Sequence, residues 1–232
     1  MSELAHYCGH TPCACTIDNV NYCPVLTGAL ERKEEARRKL FVTIDVFTKI
    51  MDKVMPREDW MFISGGGVSM YQYKITGDIE REPTDLDAVT RHNGQSGGFA
   101  NLIAIEQALQ ETGIGSRLIT HEREHHGFRF SNPILEFDVE RGLPIDVLGE
   151  MVTQYPAENT PYASTIPSLL GRTHAYPLTD EVFDSTSLVE TPNGTIQIAS
   201  PAFIAFYKMT MCRNGNGKQD NADMCRLKKL GL

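Results

Sequence analysis

Apolar and polar positions along the chain follow two different periods, which predicts that helices alternate with strands. Between residues 30 and 55 the apolar positions recur at helical spacing behind a charged first half, ERKEEARRK, so we expect an amphipathic helix. ANLIAIEQALQET (100–112), followed by Gly113, predicts a second helix. Short apolar segments with the length of strands lie at WMFIS (60–64), LDAVT (86–90) and SRLIT (116–120).

The second half of the chain continues this alternation. GFRF, ILEFDV and LPIDVL predict three short strands separated by Asn-Pro and Arg-Gly breaks, whereas residues 150–192 are rich in Pro, Thr and Ser and have no clear period. TIQIA predicts a strand, and Ser200 before Pro201 is a typical helix start. A helix through Cys212 and a last one from about Asp220 follow. The predicted fold class is α/β, with a mixed sheet and a C-terminal helical segment.

Composition places the chain among ordinary globular proteins. It has 232 residues, of which 41% are hydrophobic and 22% are charged, and its net charge of -8 disfavours a broad surface for nucleic acid. No apolar run is long enough to span a membrane and no signal sequence is evident, so we expect a cytoplasmic protein with no membrane partner. We divide the chain into an extension (1–28), a catalytic core (29–150) and an acceptor-recognition segment with C-terminal helices (151–232).

Cysteines are concentrated near the N-terminus, where His6 and His10 accompany them. Four thiolates can complete a structural zinc site, although this spacing is not that of a standard zinc finger. Both a zinc site and a loop with incidental cysteines remain open. The candidate ligands are Cys8, Cys13, Cys15 and Cys23.

Two aspartates, Asp85 and Asp87, stand one residue apart at the start of the LDAVT strand. Residues i and i+2 of a strand share a face, so these like charges favour a cation such as Mg²⁺ between them. A third carboxylate on a neighbouring strand would allow two ions, the arrangement used in phosphoryl and nucleotidyl transfer. Asp146 in LPIDVLG is the best candidate, and Asp138 is the alternative.

Three glycines, Gly65, Gly66 and Gly67, follow the WMFIS strand about twenty residues before the aspartates. A turn without side chains that leads into a helix exposes backbone N–H groups and allows anionic phosphates to approach closely. The order of strand, glycines, paired aspartates and later aspartate therefore predicts a site for a nucleoside triphosphate.

The segments ISGGGVSMY, REPTDLDAV and PIDVL together resemble the nucleotidyltransferase superfamily related to DNA polymerase beta. The C-terminal segment is similar to the tail of the minimal nucleotidyltransferases in that superfamily. The resemblance covers roughly residues 58–148 and 195–230. The tail positions that match are Lys208, Arg213, Lys218, Asp220 and Asp223.

The resemblance implies a Mg²⁺-dependent enzyme that moves a nucleoside monophosphate from a triphosphate to an acceptor hydroxyl or phosphate and releases pyrophosphate. It implies metal ligation by Asp85, Asp87 and Asp146, with Asp146 also the base, and phosphate contacts from the glycines, Arg81 and Lys208. The acceptor, whether a small molecule, a tRNA end or a protein, stays open. Some relatives are toxins, so an antitoxin is a further expected partner.

Three alternatives accompany this interpretation. HEREH (121–125) satisfies the zinc-protease pattern, but it lies between two strand-like segments, and a polar connection between strands is the better interpretation. A glycosyltransferase could use Asp85 and Asp87 to hold a nucleotide sugar, which leaves Asp146 without a role. A non-catalytic nucleotide-binding module is the third. We expect residues 150–192 to recognise the acceptor, with the tyrosines Tyr155, Tyr162 and Tyr176.

Overall fold

A computed structural model describes residues 24–79, 83–91, 97–125, 128–149, 151–154, 165–166, 176–177, 180–210 and 217–232. Over these ranges the fold is α/β with a mixed sheet, as predicted. Several predicted functional residues lie outside the described ranges: Cys8, Cys13, Cys15, Cys23, Arg81, Tyr155 and Tyr162.

Helices and strands follow one another along the described residues much as the periodicity predicts. The helices are α1 (Pro24–Val54), α2 (Ser64–Thr76), α3 (Gly97–Glu111), α4 (Asp180–Asp184), α5 (Pro201–Thr210) and α6 (Gly217–Lys229). The strands are β1 (Trp60–Ile63), β2 (Leu86–Thr90), β3 (Ser116–His125), β4 (Phe128–Asp138), β5 (Pro144–Leu148), β6 (Met151–Gln154), β7 (Thr165–Ile166), β8 (Tyr176–Pro177), β9 (Ser187–Thr191) and β10 (Gly194–Ile198). Ser200 caps α5 as predicted, because its hydroxyl accepts a hydrogen bond of 3.2 Å from the Phe203 N–H.

The main sheet of the described residues has the strand order β3-β4-β5-β2-β1-β10-β9, and β6 also pairs with β4. Two pairs are parallel, β2 with β5 and β1 with β10, whereas the others are antiparallel. Strand β10 thus joins the same sheet as the strands of the predicted catalytic core. A separate small ribbon pairs β7 with β8.

One face of the central strands packs against α1 in the core. Phe47 of α1 contacts Trp60 and Phe62 of β1, with ring centroids 5.2 and 5.3 Å apart, and all three side chains are fully buried. Helix α1 contributes Leu40, Ile44, Phe47 and Met51 to this core, at the spacing that its amphipathic pattern predicts. Because side chains alternate across a strand, the residues between these apolar positions point away from α1.

Strand β4 corrects one detail of the sequence prediction. It continues through Asn132 and Pro133, where the sequence predicts a break. The Pro133 carbonyl accepts a hydrogen bond from the Gly149 N–H. Pro133 lies in a gap between the segment of β4 that pairs with β5 and the segment that pairs with β6. The Pro133 nitrogen, which carries no hydrogen, faces this gap. The proline therefore removes no hydrogen bond between β4 and its neighbouring strands.

None of the helices that the structure describes is both long enough and apolar enough to cross a membrane.

Candidate functional site

Asp87 and Asp146 lie side by side on parallel strands. In the parallel pairing of β2 with β5, Asp87 is the register partner of Asp146. The side chains of register partners on adjacent strands point to the same face of the sheet. Their neighbours Leu86 and Ile145 are also register partners, and both are fully buried on the opposite face. The apolar-Asp-apolar pattern therefore turns both carboxylates toward the same side of the sheet.

Asp85 stands just ahead of β2 and is exposed. It accepts a hydrogen bond of 3.2 Å from the Thr84 hydroxyl. Its charge acts on Asp146, so the carboxylates predicted as metal ligands influence one another electrostatically.

Asp146 is half-buried, and its environment disfavours the ionised form. Burial is the largest cause that raises the pKa of Asp146, followed by the negative charges of Glu136, Asp85 and Asp138, and together they bring it to about 6. The residues around Asp146 thus concentrate negative charge at one place on the sheet.

Glu136 is a member of this group that sequence reasoning missed. It is the register partner of Asp146 on the other side, so Asp87, Asp146 and Glu136 form a row across β2, β5 and β4. The row continues to Arg117 of β3, whose side-chain nitrogens bind Glu136 at 2.5 and 3.1 Å. In ILEFDV, Glu136 stands between two apolar residues, Leu135 and Phe137, that are buried. This alternation was the signal that could have placed Glu136 on the same face of the sheet as Asp146.

Asp138, the alternative third carboxylate, lies two residues beyond Glu136 at the end of β4 and pairs with Pro144. It shares a face with Glu136 but is displaced from the row that contains Asp87 and Asp146. Both acids line an open pocket of about 410 Å³ that reaches Asp146. The lining residues are Gly115, Ser116, Arg117, Glu136, Phe137, Asp138, Pro144 and Asp146.

Helix α2 begins beside this row. Ile63, the last residue of β1, is the register partner of Asp87, and α2 starts at the next residue, Ser64. No side chain caps this helix start, and Ser64 has a left-handed backbone with φ of 56°. The first N–H groups of an α-helix have no partner within the helix, so α2 presents hydrogen-bond donors close to Asp87.

The glycines lie in the first turn of α2, where they also serve packing. A Cβ on Gly66 would come within 2.5 Å of Cδ2 of Leu86, and one on Gly67 within 2.7 Å of Cδ1 of Ile204. The first contact is with β2 and the second with α5. Glycine at these positions therefore lets α2 approach both the strand of the paired aspartates and the C-terminal helices.

Lys208 binds two aspartates of α6. Its ammonium is buried between α5 and α6, 2.9 Å from Asp220 and 2.8 Å from Asp223, and Asp223 also contacts Arg226 at 3.2 Å. The Asp223 side chain is fully buried. These contacts explain the spacing of Asp220 and Asp223: residues three apart on α6 face Lys208 together.

The donor set at the row suits a hard divalent cation, because it consists of carboxylate oxygens and contains neither thiolate nor imidazole. Within the described ranges, no three acidic, histidine or cysteine side chains stand close enough together to form a metal site as they are. Phosphate oxygens of a bound nucleotide complete the coordination of Mg²⁺ in many such sites.

The HEREH segment lies in β3, where its backbone is extended and pairs with β4. A zinc protease needs these two histidines one turn apart on a helix, so the strand rules that interpretation out. The polar connection that the sequence predicts for this segment is wrong, because β3 continues from SRLIT through His125.

Comparison with known proteins yields similarities to solved structures. No family model matches the chain, and no curated protein matches it significantly. The crystal structure of the lincosamide antibiotic adenylyltransferase LnuA, with lincomycin bound, is similar over 83% of this chain and 96% of that chain, with 18% sequence identity and a TM-score of 0.45. At this identity and TM-score the similarity assigns neither a family nor an activity.

Proposed function

We propose that this protein is a nucleotidyltransferase that uses Mg²⁺ to move a nucleoside monophosphate from a triphosphate to an acceptor. One observation carries the proposal: Asp87 and Asp146 are neighbours on parallel strands at the point where α2 begins. Two carboxylates and a helix N-terminus that meet in this way suit a triphosphate and its cation.

Asp85, Asp87 and Asp146 would hold Mg²⁺, which would neutralise the negative charge of the phosphates when bound. The N–H groups at the start of α2 would bind phosphate oxygens, helped by the positive end of the helix dipole. Gly65, Gly66 and Gly67 would contribute through their backbone N–H groups.

In the transfer step the acceptor oxygen forms a bond to the α-phosphorus, and the bond from that phosphorus to the bridging oxygen of the β-phosphate breaks. Pyrophosphate leaves with the electron pair of the broken bond. The hydroxyl proton passes to the carboxylate of Asp146, which faces the same side of the sheet as Asp87. Most of the acceleration would come from positioning and charge neutralisation.

Contacts from Arg81 and Lys208 to the triphosphate remain predictions. Lys208 would have to exchange its bonds to Asp220 and Asp223 for bonds to phosphate. Zinc binding by the N-terminal cysteines and an antitoxin partner also remain predictions.

The first test is calorimetric titration of ATP, GTP, CTP and UTP into the full-length protein with excess Mg²⁺. The matched variants are Asp87→Asn, which keeps the size of the side chain, and Glu111→Gln, which alters an exposed acid at the end of α3. We expect Mg²⁺-dependent binding of at least one triphosphate, a loss of at least tenfold in affinity for Asp87→Asn and no change for Glu111→Gln.

Two outcomes would overturn the proposal. If no triphosphate binds to folded protein but a nucleotide sugar does, the glycosyltransferase interpretation is correct. If Asp87→Asn binds triphosphate and transfers labelled nucleotide as well as wild type, the row of carboxylates is not the active site.

A further inference from the structure

Arg117 stands at the end of the row of carboxylates opposite to Asp87. Across β2, β5, β4 and β3 the register order is Asp87, Asp146, Glu136 and Arg117. Hydrogen-bonded strands lie about 4.8 Å apart, so the backbones of Arg117 and Asp146 are roughly 10 Å apart. Arg117, Glu136 and Asp146 also line the same open pocket, so their side chains face a common space.

The guanidinium of Arg117 binds one oxygen of Glu136. Its Nε and Nη2 donate hydrogen bonds of 3.1 and 2.5 Å to the same oxygen, Oε2. The contact lies at the surface, since 72% of the Arg117 side chain and 33% of the Glu136 side chain are exposed. The pair therefore neutralises a carboxylate of the row without removing it from solvent.

This contact affects any divalent cation that binds at Asp87 and Asp146. Burial is the largest cause that raises the pKa of Asp146, and the charge of Glu136 is the next, so Glu136 is close enough to act on a cation bound there. A Glu136 without a partner would attract the cation and offer it a further carboxylate oxygen. Arg117 opposes both effects, because it cancels the charge of Glu136 and occupies Oε2 with its hydrogen bonds.

We propose that Arg117 keeps the free protein from binding a divalent cation tightly, so that the cation binds together with the triphosphate. The guanidinium neutralises the carboxylate that would otherwise strengthen the metal site, and phosphate oxygens of the nucleotide supply the missing negative charge. The inference rests on the proposed function for the place of the metal. It makes Arg117 a positioning residue, which acts on the metal through Glu136.

The test measures the binding of Mn²⁺ alone, because Mn²⁺ takes the same oxygen ligands as Mg²⁺ and its free form is quantified by electron paramagnetic resonance. Full-length wild type and Arg117→Gln are titrated without nucleotide at about 0.1 M and about 1 M salt, where the Debye length is about 10 and 3 Å. We expect Arg117→Gln to bind Mn²⁺ about fivefold more tightly or better at the lower salt concentration, and this gain to shrink at the higher one.

Two further variants identify the charge of Arg117 and its contact with Glu136 as the cause. Arg117→Lys retains the positive charge and should bind Mn²⁺ nearly as wild type does. Adding Glu136→Gln to Arg117→Gln should return the affinity to the wild-type level, because the gain comes from the carboxylate that Arg117 leaves free.

Lys49→Gln is the matched control. Lys49 forms a comparable pair with Asp45, in which 71% and 30% of the side chains are exposed, and it lies on α1, which packs against the opposite face of the sheet. The variant removes the same charge as Arg117→Gln and should change the Mn²⁺ affinity less than twofold.

An unchanged Mn²⁺ affinity in folded Arg117→Gln would overturn the inference, and so would a gain that persists after Glu136→Gln is added. If wild type binds Mn²⁺ in the presence of a triphosphate while Arg117→Gln gains nothing in its absence, the inference fails and the proposed function stands. If neither protein binds Mn²⁺, alone or with ATP, GTP, CTP or UTP, the proposed function is refuted as well.

Discussion

At the scale of single residues, the site depends on which side chains share a face of the sheet. Asp87 is far in sequence from Glu136 and Asp146, which belong to one hairpin, but the three residues are adjacent across three strands. Their like charges disfavour one another in the absence of a cation, which is the usual condition of a metal-binding site before the metal binds. The predictions at this scale concern the cost of that repulsion and the packing of the glycines.

Asp146→Asn should stabilise the metal-free protein at pH 8 and have little effect on stability at pH 4. The pKa of Asp146 rises from 3.8 to about 6 on folding, so the folded protein holds this proton more tightly than the unfolded chain does. The cost of ionisation is present above about pH 6 and disappears as the pH falls toward 4. Thermal unfolding in EDTA at the two pH values measures it, with Glu111→Gln as control. A lower melting temperature for Asp146→Asn at pH 8 would contradict this account.

Gly66→Ala should destabilise the fold by about 1–3 kcal/mol, although alanine is normally the better helix former. The new Cβ would overlap Leu86, which is fully buried and precedes Asp87, so triphosphate binding should weaken as well. Urea unfolding of Gly66→Ala is compared with that of Gly115→Ala, whose Cβ meets no atom within 4 Å. Equal stabilities of the two variants would refute the packing role.

At the scale of elements, the C-terminal helices are joined by a buried group of charges. Lys208 of α5 binds Asp220 and Asp223 of α6, and Asp223 also binds Arg226. The sequence predicts both helices from their caps and periodicity, but not this contact between them. Residues from separate helices meet only when both have packed, here against α2.

Lys208→Met should destabilise the protein by about 3–5 kcal/mol, because it removes the cation between two largely buried aspartates, of which only Asp223 keeps another partner among the described residues, Arg226. Lys49→Met, which removes a lysine with 71% of its side chain exposed and a helical partner in Asp45, should cost less than about 1 kcal/mol. Urea unfolding of each variant measures its free energy of unfolding. Adding Asp220→Asn and Asp223→Asn to Lys208→Met should recover part of the loss. A cost for Lys208→Met that matches that of Lys49→Met would show that the charges are solvated.

At the scale of the whole molecule, one sheet connects segments from most of the described chain. Strand β10 lies beside β1 and brings α5 toward α2, while the hairpin of β4 and β5 places the pocket next to Asp146. A ligand that bridges α2, β2 and β5 would thus restrain segments that come from distant parts of the sequence.

Mg²⁺ and the preferred triphosphate together should raise the melting temperature of the whole protein, whereas either alone should raise it little. At a free ligand concentration of 100 times Kd, the added stability is about 2.7 kcal/mol. Differential scanning fluorimetry with and without EDTA measures the shift, and Asp87→Asn should remove it. An equal shift in EDTA would show that the nucleotide binds without the metal.

Much of the fold could be predicted from local patterns. The alternation of periods predicts α1, β2, α3, β5 and β10 closely, because each buries one stripe or face of apolar residues. The predicted break at Pro133 was wrong, because a strand tolerates proline where no neighbouring strand needs its N–H as a hydrogen-bond donor. Whether such a donor is needed depends on the partner strands. It also missed β9, an edge strand with a single buried residue, Val189.

By itself, the sequence determined the element types, the apolar faces and the candidate aspartates, since these follow from spacing along the chain. Only the tertiary structure decided that Asp87 pairs with Asp146, that Glu136 joins the row, and that Lys208 faces Asp220 and Asp223. Strand order and register fix which side chains meet, and they depend on how all the elements pack together.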